Sequence, residues 1–138
     1  MIGLDTNVLA RYYIEDATDD EAEPQREAAR RLIESGQPLM VSKTVMLELE
    51  WLMRGYYRLA VEDIRAVFRH LLELPHADIE DRGAVAQAIA NMDAGLEFAD
   101  ALHHASYRAC SAIASFDERK FARRARRLGL APAVIVPA

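Results

Sequence analysis

The sequence contains very little cysteine, and this limits the chemistry open to it. Cys110 is the only cysteine, so no disulfide can form within the chain, and we expect a reducing cytoplasmic location. No CxxC or HxxxH spacing accompanies it, which argues against the common zinc sites. No apolar run reaches the ~18 residues of a membrane span, and no basic segment precedes the apolar N-terminus. We therefore expect neither a membrane partner nor a signal peptide.

The chain also lacks an excess of positive charge. The net charge of −5 argues against a nucleic-acid binder that relies on bulk positive charge, and no glycine-rich loop suggests an NTPase. The charge is unevenly spread, however. Residues 15–23 carry acids and no base, whereas one late segment is rich in bases, namely Arg119, Lys120, Arg123, Arg124, Arg126 and Arg127. Such an asymmetry can create a local anion site, although a solvated helix face is the ordinary explanation for any single arginine.

Short apolar segments alternate with amphipathic ones along the 138 residues. The pattern predicts strands near 1–4, 38–41, 76–79, 111–115 and 133–136. It predicts helices near 6–14, 21–34, 43–54, 60–73, 85–92, 98–110 and 117–127, with Thr6 or Asn7 as the first N-cap and Gly55 as a helix stop. Strands separated by helices predict an α/β fold, with four or five short parallel strands in a central sheet and helices on both faces. We expect a single domain over residues 1–138.

Four acidic residues lie inside apolar sequence: Asp5, Glu48, Asp100 and Asp117. Asp5 and Asp117 each follow a predicted strand, where open α/β sheets place their ligands. Acids in apolar surroundings are costly unless a cation neutralises them, and hard oxygen ligands favour Mg²⁺ or Mn²⁺. A lone acid of this kind is usually a cap or an ion-pair partner, but four in this order indicate a metal site suited to phosphodiester hydrolysis.

Neighbouring polar residues extend this candidate site. On the helix after Phe98, Asp100 shares a face with His103 and His104, which we expect to line or flank the site and to contact phosphate. Arg119, Lys120 and Arg123 are candidate contacts for RNA phosphates. Glu50, two residues after Glu48, is expected on another helix face and in solvent, and Asp93 and Glu97 are expected to be cap or first-turn acids.

Four segments carry a resemblance to a known family. These are Gly3-Leu4-Asp5-Thr6-Asn7-Val8-Leu9, the Ser42–Trp51 stretch around Glu48, Phe98-Ala99-Asp100-Ala101-Leu102, and Ser115-Phe116-Asp117. Together they resemble the PIN-domain nucleases, especially the toxins of the VapC type. The resemblance implies a PIN-like three-layer fold and an endoribonuclease whose acidic quartet, Asp5, Glu48, Asp100 and Asp117, holds Mg²⁺ or Mn²⁺. It also implies supporting roles for Thr6, Asn7 and Ser115, the last standing where many relatives have threonine.

The resemblance leaves the biological role open. Toxin members are silenced by a co-encoded antitoxin, and the resemblance favours a homodimer. The apolar and aromatic residues around Trp51, Tyr56 and Tyr57 would suit such an interface, although core packing explains them nearly as well. One alternative is a housekeeping RNA-processing nuclease without an antitoxin. Another is a PIN fold that serves as a non-catalytic binding or assembly module, although an intact quartet argues against it.

Overall fold

Five short parallel strands and seven α-helices alternate along the chain. The computed structural model describes all 138 residues and divides them into two units, residues 1–82 and 83–138. The first unit contains β1 (Ile2–Gly3), α1 (Thr6–Tyr13), α2 (Ala22–Ile33), β2 (Leu39–Val41), α3 (Lys43–Trp51), α4 (Val61–Glu73) and β3 (Ala77–Ile79). The second contains α5 (Arg82–Asp93, beginning at the boundary), α6 (Phe98–Ser106), β4 (Ala112–Ala114), α7 (Arg123–Leu128) and β5 (Ala133–Ile135).

Each unit has its own parallel strands. In the first unit the order is β1-β2-β3, with Ile2 opposite Leu39 and Leu39 opposite Ala77. In the second unit β4 pairs with β5, and Ile113 lies opposite Val134. The predicted α/β class with parallel strands is confirmed, and the strands are divided into a set of three and a set of two.

Local sequence explains where most helices begin and end. Ser42 caps α3, since its hydroxyl accepts a hydrogen bond from the N–H of Val45 at 3.2 Å. Gly129 ends α7 in the left-handed conformation (φ 66°) that glycine adopts without steric cost. The apolar stripe predicted for α4 is present, because Ile64, Phe68 and Leu71 are all buried. None of the helices combines the length and the hydropathy of a membrane-spanning segment.

Two local predictions were wrong. Asp5, not Thr6 or Asn7, is the N-cap of α1. Gly55 does not stop α3, because the helix continues as a π-helical turn over Leu52–Tyr56. The helix predicted near 117–127 is present, but its first part is also a π-helical turn, Glu118–Ala122, before α7 begins. A π-turn adds one residue to the helical repeat, which periodicity alone does not reveal.

Aliphatic side chains from helices and strands form the interior of the first unit. Its fully buried large residues include Leu9, Ile33, Leu39, Val41, Met46, Leu49, Met53, Phe68, Leu71 and Ile79. In the second unit the buried side chains include Val85, Phe98, Ala101, Phe121, Ala125 and Val134. The first strand contributes little to this interior, since Ile2 is 39% exposed and only Leu4 after it is buried. Although its residues are apolar, β1 is therefore not a buried strand.

Candidate functional site

Asp5 serves as both a helix cap and an exposed carboxylate. Its Oδ1 accepts a hydrogen bond from the N–H of Thr6 at 2.8 Å, and no protein group bonds its other oxygen. Thr6 is buried, and its Oγ1 is the one buried side-chain polar atom without a hydrogen-bond partner. Asn7 is exposed and lines a cavity with Arg11 and Gln25. One oxygen of Asp5 is thus fixed by the backbone, while the other faces solvent and can bind a cation.

The two acids on α3 lie in different environments. Glu48 is exposed and forms no ion pair, which suits a ligand for a metal ion. Glu50 is buried, with 6% of its surface exposed, and both of its carboxylate oxygens accept from Arg54 Nε, at 2.9 and 3.2 Å. The expectation of a solvated Glu50 was therefore wrong. A buried carboxylate needs such a partner, because its desolvation is otherwise uncompensated.

Three acids of the second unit influence one another. Asp100 lies half-buried in the first turn of α6, and its pKa is raised above the usual value. Burial is the largest cause, followed by the negative charges of Glu97 and Asp117, and the charges of His103 and Arg124 partly offset the effect. Ionised carboxylates this close repel one another, so a divalent cation here would relieve the repulsion.

Three hydrogen bonds hold Asp117 and the residues around it at the start of the π-turn. The Ser115 hydroxyl accepts from the N–H of Asp117 at 3.1 Å. Asp117 Oδ1 accepts in turn from the N–H of Lys120 at 3.0 Å, and the backbone N–H of Ser115 donates to the Ile135 carbonyl on β5 at 2.9 Å. The predicted support by Ser115 therefore acts on the backbone of Asp117 and leaves the second carboxylate oxygen open.

Glu97 is the residue that sequence reasoning undervalued. It is the N-cap residue of α6 but makes no side-chain cap bond. Its carboxylate instead lies 3.6 Å from Lys120 Nζ and 3.8 Å from Arg124 Nη1. The signal in the sequence was its position three residues before Asp100, which brings a cap residue and a first-turn acid to the same end of α6.

The predicted basic contacts divide into paired and unpaired groups. Lys120 and Arg124 share Glu97, and Arg126 lies 3.4 Å from Glu118. Arg119 and Arg123 are exposed and form no ion pair. Arg127 is also exposed and without an ion pair, so these three arginines are the cations of the segment most available to an external phosphate.

The two histidines of α6 have different environments. His103 is exposed, and its charge acts on Asp100. His104 is buried, its Nε2 bonds the Pro132 carbonyl at 2.8 Å, and its ring packs edge-on to Phe121. This placement argues against the predicted contact between His104 and substrate, because its ring joins α6 to the segment before β5.

A sequence comparison identifies the family. The profile of the PIN domain matches residues 2–127, which include all four acids and extend over both units. The chain belongs to the PIN domain family. No curated protein of similar sequence matches it. PIN domains are generally metal-dependent nucleases that use Mg²⁺ or Mn²⁺.

The acids of this PIN domain offer the donors that such a cation prefers. Within each unit, no group of three or more histidine, cysteine, aspartate and glutamate side chains is close enough to form a metal site alone. The four predicted ligands are all carboxylates, with two in each unit, and none forms an ion pair with a lysine, arginine or histidine. Oxygen donors without a cationic partner fit Mg²⁺ or Mn²⁺ better than zinc.

Proposed function

We propose that this PIN domain is an endoribonuclease that hydrolyses RNA phosphodiester bonds with Mg²⁺ or Mn²⁺, and that residues 1–138 act as one nuclease domain. The observation that carries the proposal is the absence of ion pairs at Asp5, Glu48, Asp100 and Asp117. Among the half-buried aspartates, Asp16, Asp19 and Asp81 all have cationic partners, and Asp100 is the one without. Four unpaired carboxylates at the family's motif positions support a cation as their natural partner.

In this proposal the four carboxylates hold the metal ion. When bound, the cation lowers the pKa of a water molecule and offsets the negative charge of the phosphate. Ser115 fixes the backbone of Asp117, and the cap bond of Asp5 fixes its orientation. Arg119 and Arg123 bind neighbouring phosphates through charge-assisted hydrogen bonds, and the exposed His103 is a further phosphate contact.

The decisive test is Asp5→Asn, because asparagine is as good an N-cap as aspartate. The variant keeps the hydrogen bond to Thr6 and loses only the charge, so we expect an intact fold and no RNA cleavage with Mg²⁺ or Mn²⁺. Asp78→Asn is the matched control, since Asp78 is an exposed acid on β3 outside the quartet. Full RNA cleavage by Asp5→Asn would refute the quartet assignment. An equal loss of cleavage in Asp5→Asn and Asp78→Asn would refute it as well.

We further propose that the chain is the toxin of a toxin–antitoxin pair, as its resemblance to VapC-type members implies. The expected partner is a protein with a basic segment that folds on binding and neutralises the exposed carboxylates. Part of the acidic loop is already neutralised, since Arg26 lies 2.7 Å from Glu15 and Arg11 pairs with Asp16 and Asp19. The unpaired quartet acids should therefore attract the basic segment of such a partner more strongly than the acidic loop does.

Expression in cells separates the toxin from a housekeeping nuclease. A toxin expressed alone should arrest growth, and co-expression of the neighbouring upstream gene should relieve the arrest. The Asp5→Asn variant is the control and should be harmless. If the wild-type chain is harmless while the purified protein cleaves RNA well, the housekeeping role is the better explanation.

We also propose that the chain forms a homodimer through its exposed aromatic residues in the first unit. Trp51 and Tyr56 are 58% and 66% exposed, and both lie at the π-helical turn after α3. Aromatic side chains of this kind are enriched in the centres of interfaces. Sedimentation of wild type and Trp51→Glu tests this, and a wild-type monomer at micromolar concentration would contradict it.

A further inference from the structure

Phe116 is the most exposed large hydrophobic residue of the chain, with 81% of its surface exposed. It lies between Ser115 and Asp117, next to an acid of the proposed quartet. Phenylalanine rings are usually buried, and the position of this one beside Asp117 makes it a candidate contact for whatever binds at the proposed site.

The backbone that carries this ring is firmly held. The N–H of Ser115 donates to the Ile135 carbonyl at 2.9 Å, and the N–H of Glu118 donates to the Phe116 carbonyl at 3.0 Å. The bond between Ser115 and Asp117 closes the same turn. Phe116 is thus exposed on a well-anchored turn, and a phenylalanine side chain has only two rotatable bonds. A partner that packs against it orders little additional structure.

The charge around Phe116 favours an anionic partner. From Phe116 to Arg127 the chain carries six basic and two acidic residues. Arg119 and Arg123 have no ion pair, whereas Glu118 is neutralised by Arg126. In a symmetric dimer through this surface, a second copy of the chain would bring the same positive charge to it. An unpaired nucleic-acid base provides a flat apolar face on a negatively charged backbone, which matches both features.

We propose that Phe116 stacks on an unpaired base of single-stranded RNA next to the phosphate that is cleaved. The proposal rests on the nuclease function proposed above. A base within a duplex is already stacked on both faces, so only an unpaired or extruded base can offer a face to the ring. Stacking of this kind is tolerant of sequence, because every base has an aromatic face.

Binding in EDTA tests this without cleavage. We would measure the fluorescence anisotropy of a labelled short oligoadenylate, an abasic oligomer of the same length, and an RNA duplex. Phe116→Ala should bind oligoadenylate about tenfold more weakly than wild type. Phe116→Trp should bind at least as well as wild type. Tyr107→Ala is the matched control, since Tyr107 is another exposed aromatic residue of the same unit, and it should leave affinity unchanged.

The abasic oligomer distinguishes stacking from other roles. Wild type should lose affinity when the bases are removed, whereas Phe116→Ala should bind the two oligomers almost equally. The proposal would be overturned if Phe116→Ala lost the same affinity for both oligomers or bound oligoadenylate as well as wild type does. A changed oligomeric state of Phe116→Ala would overturn it too.

Cleavage with Mg²⁺ or Mn²⁺ keeps this inference separate from the proposed function. If wild type binds oligoadenylate through Phe116 but cleaves no RNA, the stacking role stands and the nuclease proposal fails. If wild type cleaves RNA and Phe116→Ala binds and cleaves it equally well, the stacking role fails and the nuclease proposal stands.

Discussion

The hydroxyl of Ser115 accepts a hydrogen bond from the backbone N–H of Asp117 at 3.1 Å. This bond fixes the backbone of Asp117, three residues after β4, rather than its carboxylate. It places the Asp117 side chain at the start of a π-turn, where Oδ1 caps Lys120 and the other oxygen remains open. A residue two positions away thereby sets the direction of a proposed metal ligand.

Removal of this hydroxyl should weaken catalysis without unfolding the protein. One lost hydrogen bond costs about 1 kcal/mol, so Ser115→Ala should lower the cleavage rate about fivefold. Ser115→Thr keeps the hydroxyl and should retain most of the activity. Initial rates of RNA cleavage at saturating Mn²⁺ check this, with Ser106→Ala as a hydroxyl control on α6. An alanine variant as active as wild type would show that the turn holds Asp117 without Ser115.

The charge of Asp100 should reduce the stability of the metal-free protein at neutral pH. Its pKa in the folded state is raised above 3.8 by burial and by the charges of Glu97 and Asp117, so the ionised form is disfavoured on folding. This cost is present above the folded pKa and disappears as pH falls through it towards 3.8. Asp100→Asn should therefore raise Tm at pH 7 in EDTA by about 2–4 °C. At a pH below the pKa of Asp100 in the unfolded chain, the substitution should leave Tm unchanged.

Addition of Mn²⁺ should make wild type more stable than Asp100→Asn. A ligand that binds only the folded state at 100 times its Kd adds about 2.7 kcal/mol of stability. Wild type should gain most of this, whereas Asp100→Asn has lost one proposed ligand and should gain less. Asp78→Asn, an exposed acid on β3, should respond like wild type. Equal Mn²⁺-induced shifts in all three proteins would argue against a metal ligand at Asp100.

Arg119 and Arg123 should contribute to RNA affinity without regard to sequence. The double variant Arg119→Gln/Arg123→Gln should weaken binding similarly for different single strands. It should also reduce the dependence of log affinity on log salt by about 0.7 for each lost phosphate contact. Titrations at several salt concentrations measure the slope, with Arg31→Gln/Arg69→Gln as an exposed pair in the first unit. An unchanged slope would show that these two arginines are solvated residues of a helix surface and do not contact RNA phosphates.

Arg11 should stabilise the acidic loop in a pH-dependent way. It pairs with Asp19, lies 3.8 Å from Asp16 and donates to Gln25 at 2.8 Å. Hydrogen bonds from Thr18 lower the pKa of Asp16, and those from Glu21 and Arg11 lower the pKa of Asp19. Stability from lowered carboxyl pKa values is present above about 3.8 and is lost as pH falls through the folded values.

Arg11→Met should accordingly lower Tm at pH 7, and the difference from wild type should shrink as the pH falls below 3.8. Thermal unfolding followed by circular dichroism across this range gives the measurement. Arg31→Met is the control, since Arg31 is exposed and lies 3.9 Å from Glu27. A difference that stays constant with pH would assign the effect of Arg11 to packing instead of charge.

Much of the chain's architecture could be predicted because it depends on local properties. The stripe of Ile64, Phe68 and Leu71 predicted α4, and short apolar runs before helices predicted parallel strands, all of which the structure contains. The positions of Asp5 and Asp117 after strands follow from the same pattern. Periodicity and strand order are encoded within a few neighbouring residues, so the sequence is enough to reveal them.

Tertiary structure decided which side of each element faces the interior. On α3 the sequence placed Glu48 and Glu50 on different faces, but packing around Met46, Leu49 and Met53 buried Glu50 against Arg54 and left Glu48 exposed. On α6 it buried His104 beside Phe121 and left His103 near Asp100.

The sequence by itself therefore determined the α/β class, the family and the order of the four acids, because these depend on residue type and spacing. Only the folded structure decided which polar groups are neutralised. Glu97 and Glu50 acquire cationic partners while the four acids do not, and Phe116 stays in solvent while Phe121 is buried. Burial and ion pairing depend on groups that are distant along the chain and meet only when it folds.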